Sequence, residues 1–185
     1  KHRFALPSLL TSVILSAPCV IFPLPLSAAT VYVATNGLDT FTGIGDWSNA
    51  VKTISNGVAK AAAGDTVLVS NGVYMLTAQI DLNKDVTIRS WNNGTIDATN
   101  TMIDAGGTTF RCVNMSHANA VMDGFTLTHG AQTGNGGGVQ IANGTVRNCL
   151  VLNNTASGMG AGVYMVTGRV EGSVIQANRS SPDLY

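Results

Sequence analysis

Gly136-Gly137-Gly138-Val139-Gln140-Ile141 and Gly160-Ala161-Gly162-Val163-Tyr164-Met165 are one pattern written twice, 24 positions apart. The residues around them keep the same shift. Met122, Val146 and Val170 fall in one column, Leu127, Val151 and Ile175 in another, and Asn154 lies over Asn178. Self-similarity at such a period signals stacked supersecondary units. Each copy holds two short runs of apolar and β-branched residues separated by Gly, Asn, Ser and Thr, with no stretch periodic enough for a helix. The unit is therefore a turn of strands, and the fold class is all-β. About 24 residues make one coil of a parallel β-helix, whose coils pair at about 4.8 Å and cover each other's apolar faces. Equal columns then become ladders, with aliphatics inside. Asn154 and Asn178 belong at a bend, where a side-chain amide satisfies backbone groups that leave the sheet. The triple glycine fits a bend needing positive φ or close backbone approach.

Length and composition set the frame. The 185 residues suit one domain with ample material for a core. Ten basic residues balance ten acidic ones and charged residues are 11% of the chain, so no nucleic-acid or acidic partner is expected. Twenty-one glycines among many Asn and Thr make a β-and-turn composition.

Residues 1–29 read as a secretory signal: Lys1, His2 and Arg3, an apolar body from Phe4 to Leu26, then Ser27-Ala28-Ala29 as a small-residue cleavage site before Thr30. Pro7, Pro18, Pro23 and Pro25 disfavour a continuous membrane helix, so the mature chain is expected not to span a membrane. Pro18 likewise disfavours lipoprotein processing at Cys19. Cleavage leaves Cys112 and Cys149, which an oxidising compartment would allow to bridge. Cys149 shares its column with Phe125 and Ser173, which favours a small buried core residue.

From Thr30 a short strand leads into a turn-rich loop containing Asn36, Gly37, Asp39 and Gly43. The spacing of Val51, Ile54, Val58 and Ala61 after Trp47 predicts a helix that Asp46 caps and that ends at Gly64. A helix there would cap the first coil's apolar end, so residues 30–64 read as an N-terminal cap and 65–185 as coils. Trp91 to Gly107 reads as an excursion, and the coils as uneven early and regular late. The sequence starts at Lys1 and stops at Tyr185 soon after a strand, so a truncated stack is expected, with more coils, an anchor or a transport barrel following.

Tyr32-Val33, Asn36-Gly37, Asp39, Gly43, Trp47, Lys52-Thr53-Ile54, Gly64-Asp65-Thr66-Val67, Gly72, Tyr74 and Val86-Thr87-Ile88-Arg89 resemble the opening segment of bacterial right-handed parallel β-helix proteins of the pectin-lyase-like superfamily. The repeats Gly136-Gly137-Gly138-Val139 with Val151 to Asn154, and Gly160-Ala161-Gly162-Val163 with Ile175 to Asn178, are similar to those of chlamydial-type polymorphic outer-membrane proteins. Val151 and Ile175 stand where those repeats carry an aromatic residue. The first resemblance implies a right-handed coil. Extended to activity, it implies β-elimination on an acidic polysaccharide, with Ca²⁺ on clustered carboxylates and an Arg or Lys as base.

The residues available for that chemistry are Asp97, Asp104 and Asp123, with Arg111 nearby in sequence. Asp123, Arg147 and Glu171 share a column, however, and alternating signs read more simply as an outward, mutually compensating row. No column carries carboxylates on successive coils, as a calcium cradle would want. Asp39 and Asp46 could hold an ion with Asn36, yet loop and helix-cap roles explain them more cheaply. His117 and His129 read as turn residues and Trp47 as packing for the cap. Tyr164, alternating with inward Val163 and Met165, belongs on the outer face, where an aromatic hints at carbohydrate.

Two function classes follow. The favoured one is a non-catalytic, secreted or surface scaffold, expected to be monomeric and to bind polysaccharide or cell-surface glycans, without a cofactor. The other is a Ca²⁺-dependent polysaccharide lyase, or related carbohydrate-active enzyme, whose catalytic coils lie partly beyond residue 185.

Overall fold

The computed structural model describes residues 27–91, 97–107 and 109–180, so the predicted signal segment lies almost wholly outside the described residues. The chain is predominantly β, with parallel sheets and one short α-helix. Strand β1 (Thr30–Val33) comes first, then a 3-10 helix (Trp47–Asn49) and α1 (Ile54–Lys60).

From there the chain crosses the same sheets repeatedly. A first circuit comprises β2 (Asp65–Ser70), β3 (Gly72–Met75) and β4 (Ile80–Leu82), and a second β5 (Val86–Trp91), β6 (Thr101–Asp104) and β7 (Val113–Met115). The third adds a corner strand: β8 (Val121–Asp123), β9 (Thr126–Thr128), β10 (Ala131–Gln132) and β11 (Val139–Ile141). The fourth repeats it with β12 (Thr145–Arg147), β13 (Leu150–Leu152), β14 (Thr155–Ala156) and β15 (Val163–Met165). The last runs through β16 (Arg169–Glu171), β17 (Val174–Gln176) and β18 (Arg179–Ser180). The first sheet is ordered β1-β2-β5-β8-β12-β16, the second β3-β6-β9-β13-β17, the third β4-β7-β11-β15, and the corner sheet β10-β14-β18.

Register puts like on like. Val31, Val67, Ile88, Met122, Val146 and Val170 are successive partners in the first sheet. Tyr74, Ile103, Leu127, Val151 and Ile175 form the second column. In the third, Ile80, Val113, Val139 and Val163 run beside Leu82, Met115, Ile141 and Met165. Alternation along each strand sends these side chains inward, and all of them except Val163, Met165, Val170 and Ile175, on the last strand of each sheet, are buried in one apolar cluster. Burying one such aliphatic contributes about 2 kcal/mol, so the columns dominate stability.

The corners are built by residue type. Asn154, fully buried, donates Nδ2–H to the carbonyls of Leu127 and Leu152, both at 3.0 Å, and its Oδ1 accepts the Gly130 N–H at 2.8 Å. Gly136 has φ +70°, while Gly138 is needed for space: a Cβ there would lie 2.5 Å from the Gly162 carbonyl oxygen and 2.8 Å from Val151.

Two expectations are corrected. The helix does not run from Asp46. Asp46 caps only the 3-10 turn, accepting Ser48 N–H at 2.8 Å; Ala50 is extended, and Val51 bridges to Val33. The α-helix starts after Thr53, whose hydroxyl accepts the Asn56 N–H. Its buried residues are Ile54, Gly57 and Val58, and Gly57 lets α1 approach closely, since a Cβ there would meet Val33 and Val67. The segment from Trp91 to Gly107 is no simple excursion either, because it contains β6, a regular member of the second sheet.

Candidate binding surface

Asp81, Asn114, Gln140 and Tyr164 occupy consecutive positions across the outer face of the third sheet. Each sits between two inward residues: Ile80 and Leu82, Val113 and Met115, Val139 and Ile141, Val163 and Met165. Strict alternation therefore forces the four outward. Asn114 Nδ2 donates to Asp81 Oδ1 at 3.0 Å, and Gln79 Nε2 donates to the same oxygen at 2.8 Å. Asp81 is exposed and the other three half-exposed. The result is a strip of carboxylate, amide, amide and phenol, repeating at about the 4.8 Å spacing of paired strands. Such groups hydrogen-bond vicinal hydroxyls, and a tyrosine ring offers a face for C–H surfaces.

The sequence-predicted carboxylates lie elsewhere. Asp123 closes β8 on the first sheet, between Arg89 and Arg147 in register. It is 1% exposed, and receives Arg147 Nη2 at 2.9 Å, Arg89 Nε at 3.3 Å and Asn148 Nδ2 at 2.8 Å. The ion-paired row therefore runs from Arg89 through Asp123 to Arg147, and Glu171 pairs instead with Arg169 on its own strand. Asp104 ends β6 on the second sheet, where it contacts His129 Nδ1 at 3.0 Å and accepts the Gly106 N–H. Asp97 forms a turn, accepting Thr99 N–H and Oγ1–H and Asn100 Nδ2–H. Those hydrogen bonds, led by the Thr99 hydroxyl, hold its carboxyl below the usual range. Arg111 precedes β7 and donates to the carbonyls of Gly136 and Asn135, each at 3.1 Å. Burial lowers the Arg111 guanidinium pKa from its usual value, with Asp81 acting in the opposite direction.

The loop carboxylates organise the N-terminal region. Asp39 accepts the N–H groups of Lys52 and Thr53, each at 2.9 Å, and the Thr53 hydroxyl at 3.0 Å, so it pins the start of α1. Partial burial acts to raise the Asp39 pKa, but the hydrogen bonds from Thr53, Asn56 and Lys52 outweigh it and the carboxyl lies below its usual value. At Asp46, hydrogen bonds from Ser48 lead a shift in the same direction. Among the described residues, no three His, Cys, Asp or Glu side chains converge to hold a metal. His117 Nδ1 accepts the Asn119 N–H within its own turn. Trp47 stacks edge-on against Tyr32, with ring centroids 4.8 Å apart.

A cleft of about 420 Å³ opens between the start of α1 and the β3–β4 connection, lined by Thr35, Lys52, Ser55, Val73, Met75 and Thr77. Sequence reading missed both this cleft and three of the four strip residues. Asp81 and Asn114 fall outside the 24-residue period, but their place between paired aliphatics would have revealed them.

No protein-family model, curated protein or solved structure matches this chain. Its residues therefore carry the functional reading unaided. Among the described residues no helix is long and apolar enough to cross a membrane, which does not bear on spanning by strands.

Proposed function

We propose that the chain is a right-handed parallel β-helix, exported through residues 1–29, that serves as a non-catalytic scaffold and presents the Asp81–Asn114–Gln140–Tyr164 strip to polysaccharide or cell-surface glycans. The observation carrying this reading is the register that lines those four residues up on one face. A rigid stack suits the role, because ligand groups repeating along a glycan meet protein groups repeating at a fixed rise. The ion-paired row through Asp123 supports it too: that carboxylate holds neighbouring rungs together through Arg89 and Arg147.

Glycan-array binding followed by titration tests the proposal. Tyr164→Ala and Gln140→Ala should each weaken binding by about tenfold, as loss of a contact residue at a binding surface does. Unchanged affinity in both variants would contradict the strip. Calcium-dependent release of unsaturated product from polygalacturonate would contradict the non-catalytic role and favour a lyase.

A further inference from the structure

An asparagine followed by glycine is open to attack by its own chain, because no side chain on the glycine shields the amide nitrogen from the asparagine Cγ. Such pairs occur among the described residues at Asn36, Asn56, Asn71, Asn135 and Asn143. In the first four the glycine N–H is held by a carbonyl elsewhere. Gly37 donates to Ala34 at 2.8 Å, Gly57 to Thr53 at 3.0 Å, Gly72 to Asn100 at 2.8 Å and Gly136 to Met159 at 3.0 Å. Gly144 differs, since its N–H donates to Oδ1 of Asn143 itself, at 2.9 Å. That contact folds the carboxamide back over the Gly144 nitrogen and brings Cγ, one bond from Oδ1, up to the atom that would attack it. The bend between β11 and β12 is fixed on both sides, where Ala142 N–H donates to Met115 at 2.8 Å and Thr145 N–H to Ala120 at 2.9 Å. Asn143 is half-exposed, so water reaches it.

We propose that Asn143 is a self-modification site, converted through a cyclic imide to aspartate and isoaspartate without an enzyme. The Gly144 nitrogen gives up its proton to solvent and bonds to Asn143 Cγ. The Cγ–Nδ2 bond breaks, and the amide nitrogen takes up a proton and leaves as ammonia. Water then opens the imide. Addition at Cγ gives aspartate, and addition at the Asn143 main-chain carbonyl gives isoaspartate, whose main chain is longer by one carbon. One water is consumed and one ammonia released, with no oxidant or reductant. Holding the reacting atoms together accelerates the first step. The site has little room for the longer chain: a Cβ on Gly168, one rung on, would lie 2.4 Å from the Gly144 carbonyl oxygen and 3.1 Å from its nitrogen. Modification therefore adds a negative charge and disturbs rung contact at the corner between the third and first sheets.

Incubation of the folded chain in mildly alkaline heavy-oxygen water, followed by digestion and mass-spectrometric peptide mapping, tests this. The label marks conversion during the incubation and fragmentation separates aspartate from isoaspartate. Asn143 should take up label roughly tenfold faster than Asn36, Asn56, Asn71 and Asn135, because only there does the fold pre-position the reaction. In urea the same sites should converge, since each is then an asparagine before a glycine in a loose chain. Asn143→Gln, whose ring closure needs one more atom, should abolish label at this position and leave the others unchanged. Folded-state labelling of Asn143 no faster than the rest, a preference for Asn143 that survives in urea, or undiminished labelling in Asn143→Gln would overturn the proposal.

Discussion

Asn178 Oδ1 accepts both the backbone N–H and the side-chain Nδ2–H of Asn154, each at 3.0 Å, across a separation of 24 residues. The two amides form a ladder at the bend after the second sheet. There Asn178 Nδ2 satisfies the carbonyls of Val151 and Gln176, as Asn154 does those of Leu127 and Leu152. Because Asn154 is fully buried, Asn154→Ala leaves a donor and two carbonyls without partners. It should destabilise the fold by about 3 kcal/mol. Asn178→Ala, at a half-buried position, should cost about 1 kcal/mol. Urea midpoints of the two variants check this order.

Asp123 sits between two arginines at 1% exposure, while each arginine side chain is about one-third exposed, at 35% and 36%. Removing the carboxylate leaves two cations facing each other across the rung between them. Asp123→Ala should therefore cost about 3 kcal/mol, the lower end for breaking a buried pair. Arg89→Ala, which leaves Arg147 in place, should cost less. Thermal melts at fixed ionic strength compare them, and equal stability of Asp123→Ala and wild type would remove the ion-paired row from the account.

The fully buried Cys112 thiol is pushed up to about 12, chiefly by burial, and Cys149 to about 11 for the same reason. At neutral pH neither offers a thiolate, and neither is exposed. Both cysteines are free, so the bridge that an oxidising compartment would allow is not formed. Alkylation of Cys112 and Cys149 should be negligible in the native protein and should track unfolding in urea. Peptide mapping by mass spectrometry follows each site separately. Rapid native labelling of either site would contradict the packing.

Asp39 supplies a pH dependence whose sign is fixed. Its folded pKa lies below the usual 3.8, so its hydrogen bonds to Thr53 and Lys52 stabilise the fold above that value. This contribution is lost as pH falls below about 3.8 and through the folded pKa. Thr53→Val removes one donor and should lessen the loss of stability on acidification, read as urea midpoints between pH 5 and pH 3 as about the titration window.

Where the sequence was legible, one physical constraint acted alone. Val146 and Val170, or Asn154 and Asn178, must share a column because a regular rung repeats the same inward and bend positions. Where it was not, tertiary contacts overrode local spacing. Val51 sits in helical phase with Ile54 and Val58, yet it pairs with Val33 because β1 needs a partner there, and the helix shortens to Ile54–Lys60. Strand β6 was readable in principle, since Ile103 stands 24 positions before Leu127, but its distance from β5 disguised it. The outer strip was the hardest part to read. Outward residues carry no periodic apolar signal, and only Tyr164 marks itself by type.

The central claim is that inward side chains from rungs 24 residues apart touch through one continuous dry interior. Methyl nuclear Overhauser spectroscopy on the folded protein tests it most directly, through cross-peaks among Met122, Val146 and Val170. The account predicts that Val146 contacts both of the others and that Met122 and Val170 show no direct peak, being two rungs apart. Absence of the Val146 peaks, or contacts of Val146 confined to residues near it in sequence, would contradict it.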